Sequence, residues 1–382
     1  MKEDITEPHK VVLILGNGFD LDLGLKTSYK DFWESNNCPR NYPAPLIYHL
    51  NQYKKDKRDE IKWYDLENEF RQYYDSIVDK ENGQDFITDE EKSFLKKFSP
   101  IDFQFGLYND RLELLSSLVD KGVLLYQEKP IHTLHKLYED DVLESPIWRD
   151  KKAFNLIKDS LCEYIGNQQC PIEAKKTVAY HVLLTLDIYA RNGNFVDIFT
   201  FNYTPLQVLD YQPSYVSINY MHGNCKEGNI VLGTGDDQTI SDNYLFLQKS
   251  FAPYFTPPAL VSKLHDADEI IIFGHSLGEN DKQYFKAFFA EQTDYHNQRS
   301  KDITIFTFDN RSEIEIKRSL QKMTNGNLSV LYSQNNIQII KVGSIIADQR
   351  KLLSFLVQHG KSQEGAMDFI GLFPSRVSTS RP

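Results

Sequence analysis

Two histidines stand in short motifs that follow apolar runs, and one of them, His222, could do acid–base work. His222 stands in Tyr220-Met221-His222-Gly223-Asn224, and His275 in Gly274-His275-Ser276-Leu277-Gly278. Histidine is the usual general base near neutral pH, and Gly223 leaves room for a substrate beside the His222 ring. The second motif has two chemical readings. As Gly-x-Ser-x-Gly after a strand it is a nucleophile elbow with Ser276 as nucleophile, and Asp309 with His359 completes the chain order of a serine hydrolase. As a nucleotide loop, Gly274 and Ser276 hold a pyrophosphate instead. Asn202, in Phe199-Thr200-Phe201-Asn202-Tyr203-Thr204, can orient a water or a ribose hydroxyl; its plain alternative is a helix cap ahead of Pro205.

Near the N-terminus, Gly16-Asn17-Gly18-Phe19-Asp20 follows an apolar run directly. Glycines there let the backbone approach a ligand and turn N–H groups toward phosphate oxygens. The next glycine is Gly24, so the dinucleotide fingerprint G-x-G-x-x-G is not met. A carboxylate beside a pyrophosphate repels it, which assigns Asp20 to capping the following helix or to a ribose hydroxyl.

The elements that position these motifs are legible as apolar runs. Val11 to Leu15 is continuous, as a parallel strand buried on both faces requires. Similar runs span Phe195 to Phe201, Tyr215 to Met221, Glu269 to Phe273, Ile303 to Phe308 and Ile337 to Val342. Helical patterns at Asp281 to Glu291, Arg311 to Met323 and Ala347 to Gln358 separate several of them, which gives an α/β fold with a doubly wound, mostly parallel sheet. Residues 41–189 read as a helical insertion after the first strand. Trp63, Leu66, Phe70, Tyr73 and Ile77 space one buried face; Leu112, Leu115 and Leu118–Val119 look alike, as do Ile147, Phe154, Ile157 and Leu161. Residues 1–40 and 190–360 then form a nucleotide-binding core, and 361–382 a loose tail.

The chain has 382 residues, 41% hydrophobic and 25% charged, enough for a real core. Its 43 Lys and Arg against 54 Asp and Glu give −11, which argues against a duplex nucleic-acid binder. Cys38, Cys162, Cys170 and Cys225 form no C-x-x-C pair and follow no secretory signal, so zinc ribbons and disulfide frameworks are disfavoured and a cytoplasmic protein is expected. No apolar run is long enough for a membrane span, and no clustered acidic motif with metal spacing supports a nuclease.

The ordered set Gly16-Asn17-Gly18-Phe19-Asp20, Thr27-Ser28-Tyr29, Phe201-Asn202-Tyr203-Thr204, His222-Gly223 and Gly274-His275-Ser276-Leu277 with Asp281 resembles the AbiH family of bacteriophage abortive-infection proteins, as does Trp63 with Leu66-Glu67. The resemblance covers most of residues 11–310. The same series is similar to a remote sirtuin fold, with Asp309-Asn310 where an asparagine meets the adenosine ribose. Two departures matter: Thr204 stands at the sirtuin aspartate, and the zinc-binding cysteine pairs are missing, which argues against protein deacylation. The resemblance implies an antiphage NAD glycohydrolase without a metal. In it Asn202 orients water or ribose, and His222 accepts a proton. Gly16, Asn17, Gly18, Gly274 and Ser276 position the pyrophosphate, and Phe19, Asp20, Thr204, His275, Asp309 and Asn310 complete the binding set. It also implies control by oligomerisation, a defence-system partner or a phage-derived trigger. Two other readings stay open: the Ser276 hydrolase, and a non-catalytic nucleotide sensor, which Thr204 favours.

Overall fold

The computed structural model describes residues 7–42, 44–56, 65–81, 90, 93–94, 97, 114, 118, 146–209, 213–294, 299–343 and 345–371. Trp63, Leu112, Leu115 and Val119 lie outside the described residues, as does the side chain of Ile77.

In chain order the strand β1 (Lys10–Leu15) leads into the short helix α1 (Asn17–Asp22). Helices α2 (Tyr29–Glu34), α3 (Pro45–Asp56), α4 (Leu66–Glu81), α5 (Pro146–Gly166) and α6 (Val178–Arg191) follow, then β2 (Phe195–Thr200) and β3 (Ser217–Tyr220). The last part alternates: α7 (Leu260–Asp266), β4 (Glu269–Phe273), α8 (Lys286–Glu291), β5 (Asp302–Thr307), α9 (Asn310–Met323), α10 (Leu328–Gln334), β6 (Asn336–Lys341), α11 (Ile345–Gln358) and α12 (Gln363–Gly371).

The six strands form one sheet in the order β3-β2-β1-β4-β5-β6, and every neighbouring pair is parallel. Successive side chains of a strand point to opposite faces, so each apolar run feeds two cores. Val11, Leu13 and Leu15 pack with α6, α11 and α12 on one face. Val12 and Ile14 pack with α7, α8, α9 and α10 on the other. Leu13, Ile14 and Leu15 are fully buried, worth roughly 1.5–3 kcal/mol each. The fold is therefore the three-layer, doubly wound α/β architecture that the runs imply.

The chain divides into two compact units, one of residues 1–28, 162–231 and 254–382, the other of residues 29–161 and 232–253. The helical stretch read from the sequence as 41–189 is thus shared between them. The reason is α6, whose buried face (Val178, Val182, Leu183, Leu186) covers the sheet and belongs with it. Within the helical unit, Leu66, Phe70 and Tyr73 do form one buried face of α4. Buried Asp150 accepts from the Leu46 N–H at 2.8 Å and from the Tyr73 hydroxyl. A buried ion pair joins Lys249 Nζ to Glu67 at 2.9 Å, and Arg71 holds Asp237 with both terminal nitrogens. These last contacts tie the returning segment 232–253 to α4.

The C-terminal expectation is corrected in part. Gln363–Gly371 is helical, not loose, with Ala366 and Phe369 buried. The Phe369 ring lies 3.7 Å from the His181 ring, whose Nδ1 meets Lys361 Nζ at 2.7 Å. Residues 372–382 lie outside the described residues. Among the described residues no helix is long and apolar enough to cross a membrane.

Candidate functional site

Sheet register alone gathers the motifs. Leu15 pairs with Thr200 and with Phe273, and Thr200 pairs with Tyr220. The residues just beyond this row, at the carboxyl ends of β1, β2, β3 and β4, are those of the glycine turn, the asparagine loop, the His222 turn and the His275 turn. Strand order reverses between β1 and β4, and in open α/β sheets that is where ligands bind. Backbone bonds fasten the loops together: Met221 N–H to Thr200 O and Cys225 N–H to Tyr203 O, each 2.9 Å.

The glycines have a different role from the one expected. Gly16 N–H donates to Phe273 O at 3.0 Å, Gly18 N–H to Gly274 O at 2.9 Å, and Gly274 N–H to Phe306 O at 3.0 Å. Those three donors are therefore consumed by the backbone and do not cradle a pyrophosphate. The glycines are required by contact. A Cβ on Gly18 would lie 2.6 Å from Gly274 Cα, and one on Gly16 2.5 Å from His275 Cα. Gly274 sits at φ +64°, and its Cβ would lie 2.4 Å from the Gly18 carbonyl carbon. The two turns interlock. Gly223 is likewise set by its own turn, because at φ +69° its Cβ would lie 2.3 Å from Asn229 O; it does not serve to make room for a substrate.

Asp20 neither caps α1 nor faces solvent; it is 2% exposed. Asn202 Nδ2 donates to its Oδ1 at 2.9 Å and to Gly16 O at 3.1 Å, and Thr204 Oγ1 donates to its Oδ2 at 2.6 Å. Thr204 thus faces a carboxylate as a donor. Asn202 is not a helix cap, since Pro205 holds that position before residues 206–208; both its amide protons are engaged, which leaves Oδ1 to accept from a water or hydroxyl. Burial raises the Asp20 carboxyl from 3.8 to about 7, against the lowering effect of the Thr204, Asn202 and Thr27 hydrogen bonds. A carboxylate with a raised folded-state value favours the folded state at low pH and loses that advantage as pH rises through the folded value. Between about pH 4 and pH 7, Asp20 is thus expected to erode stability by on the order of 4 kcal/mol. Urea unfolding of wild type and Asp20→Asn across this range should diverge, the wild type losing stability with pH relative to the variant; parallel curves would refute the assignment.

The chemistry-bearing cluster is His222–Asp281–His275. Asp281 Oδ1 lies 3.5 Å from His222 Nε2, and its Oδ2 lies 3.4 Å from His275 Nε2. Both rings are nearly buried, 4% exposed by side chain, and Asp281 is 19% exposed. Phe201 supports both histidines, with ring centroids 5.3 Å from His222 and 4.4 Å from His275. A carboxylate beside a histidine orients the ring and stabilises its protonated form, which suits general-base work. Sequence reasoning placed Asp281, Phe201 and Thr27 in motifs but gave none of them a role; the Thr27 hydroxyl donates to Asn17 Oδ1 at 2.7 Å.

The remaining expected residues divide. Phe19 is a fully buried core side chain, edge-on to Phe273 at 5.5 Å. Asp309 caps α9, accepting from Ser312 N–H at 2.9 Å, and Asn310 begins that helix; both are exposed. Ser276 is exposed, but the left-handed residues of its turn are Gly274 and Leu277, so it lacks the strained position of an elbow nucleophile. His359 is buried against Glu269 at 3.0 Å, at the opposite end of β4 from Ser276. With Asp309 capping a helix, the hydrolase triad is not assembled. Among the described residues no group of three or more His, Cys, Asp or Glu is arranged to hold a metal ion.

A family model described as Bacteriophage abortive infection AbiH matches residues 12–300, which takes in most of β1, the helical unit and the site motifs from Gly16 to Asp281. No curated protein and no solved structure matches the chain. By this match the chain belongs to the AbiH family, which indicates an antiphage role in abortive infection.

Proposed function

We propose that the chain performs its antiphage role by hydrolysing NAD, or a related dinucleotide, at the nicotinamide–ribose bond. The observation that carries this reading is the His222–Asp281 pair, which stands with Asn202 beyond the carboxyl ends of the strands of one parallel sheet. In the proposed step Asn202 Oδ1 orients a water, and the water oxygen bonds to ribose C1′. The C1′–N1 bond breaks with its electron pair leaving on nicotinamide. His222 takes the water proton, and Asp281 balances the imidazolium. The transition state is oxocarbenium-like. With the glycine N–H groups consumed, the side chains of Asn17, Ser276 and Asn310 take over the pyrophosphate and ribose. No metal enters the step. Such an enzyme is toxic to its host, so restraint by oligomerisation, a defence-system partner or a phage-derived trigger, in the cytoplasm, is part of the proposal.

Two observations favour a second reading, a nucleotide sensor without turnover: the glycine donors are internal, and both histidines are nearly buried. NAD and free nicotinamide measured in infected cells separate the two, because the trigger is then present. Cells expressing wild type should lose NAD and gain nicotinamide, and cells expressing Asn202→Ala should not. NAD that stays level in wild-type cells, with purified protein still binding NAD, would leave the sensor.

A further inference from the structure

The geometry points to His275 as a positioning residue that holds the Asp281 carboxylate against His222, not as a ligand for the dinucleotide. This deepens the hydrolysis reading and rests on it for its catalytic consequence. His275 Nδ1 accepts the Leu277 N–H at 3.0 Å. That nitrogen therefore carries a lone pair, and the ring proton sits on Nε2, which faces Asp281 Oδ2 at 3.4 Å. Leu277 reaches this place in an uncommon conformation, at φ +53° with its side chain 1% exposed. A non-glycine residue there is held by its surroundings. What the turn gains is a fixed tautomer: a backbone donor on one ring nitrogen aims the other nitrogen's proton at the carboxylate. The ring itself is wedged between Phe201 at 4.4 Å and Phe285 at 5.3 Å, and Gly16 presses on its Cα and Cβ. With Oδ2 engaged by His275, Oδ1 is the oxygen presented to His222. Both ring nitrogens of His275 thus face protein groups.

Two substitutions in the full chain take the two ring nitrogens apart. In His275→Gln the amide nitrogen reaches the Nε2 position and still donates to Asp281, while the Leu277 N–H loses its acceptor. In His275→Asn the amide oxygen reaches the Nδ1 position and still accepts from Leu277, while Asp281 loses its donor. The positioning role predicts that the Gln variant keeps nicotinamide release within about 3-fold of wild type, and that the Asn variant loses about 10- to 100-fold, as when an orienting partner is removed. The titration midpoint of the His222 ring, followed by NMR, should stay at the wild-type position in the Gln variant. In the Asn variant it should move toward that of Asp281→Asn. The reverse ranking would overturn the proposal and make His275 a turn cap, and two variants indistinguishable from wild type would also overturn it. If the Asn variant does not fold, the Gln variant alone decides, since a turn cap predicts that it fails. If wild type releases no nicotinamide in infected cells, where the trigger is present, the hydrolysis reading falls, and the ring titration still decides the positioning claim.

Discussion

Replacing His222 by alanine is expected to slow nicotinamide release about 10²- to 10⁴-fold, the usual contribution of a positioned general base. Dinucleotide binding should survive, because the residues assigned to pyrophosphate and ribose come from other turns. The fold should survive as well: the His222 turn is fastened by its backbone, with Val231 N–H on His222 O at 2.8 Å and Asn224 N–H on Asn229 Oδ1 at 2.9 Å. Single-turnover rates at saturating NAD, on protein taken from infected cells so that the trigger has acted, with binding measured by calorimetry, check both halves. Undiminished release would remove His222 from the chemistry. Lost binding with an unchanged rate on what remains bound would turn it into a substrate contact.

The second large effect is on stability. Gly274→Ala forces a side chain into the left-handed region at φ +64° and drives its Cβ to 2.4 Å from Gly18 C and Phe19 N. The backbone conformation alone costs roughly 1–2 kcal/mol, and overpacking against main chain adds about 1–3 kcal/mol or more. A loss of about 2–5 kcal/mol is expected, lowering the melting midpoint by several degrees. Gly193→Ala is the control, because Gly193 has φ +97° with nothing within 4 Å of its Cβ; only the conformational part should appear there. Equal losses at the two positions would mean that the interlock of the turns carries no energy.

How much of this was legible in the residues depends on what each residue faces. The strands were legible because parallel strands buried on both faces are mostly apolar, and Val11 to Leu15 and Glu269 to Phe273, apolar after its first residue, stand out at once. That the four motifs end neighbouring strands was legible too. The partners of the glycines were not. A glycine pressed against another backbone and one pressed against a phosphate have the same letter, so Gly16, Gly18 and Gly274 read as a ligand cradle, whereas their N–H groups donate to Phe273, Gly274 and Phe306. Asp281 sits in a 3-10 turn, residues 279–284, where no periodicity marks it, and its role came only from the distances to two histidines far apart in sequence. Asp309 read as a member of the binding set or of a hydrolase triad but spends its carboxylate on a helix end. The helices of residues 41–189 share one amphipathic pattern, so α6 on the sheet could not be told from helices in the other unit.

The position of β1 has a consequence during synthesis. It is the central strand and the first to leave the ribosome, yet its neighbours stand about 185 and 258 residues further on, as the flanking contacts His9–Asn194 and Lys10–Asp268 show. At about 5–20 residues per second, β1 waits roughly 10 to 50 s for β2 and β4. Throughout that interval Val11 to Leu15 is an unpaired apolar strand of the kind chaperones protect. Asn17 emerges early, but no ribosome-bound fragment ending before Asp281 holds the His222–Asp281–His275 cluster, so the chemistry proposed for this protein can begin only after Asp281 has been made.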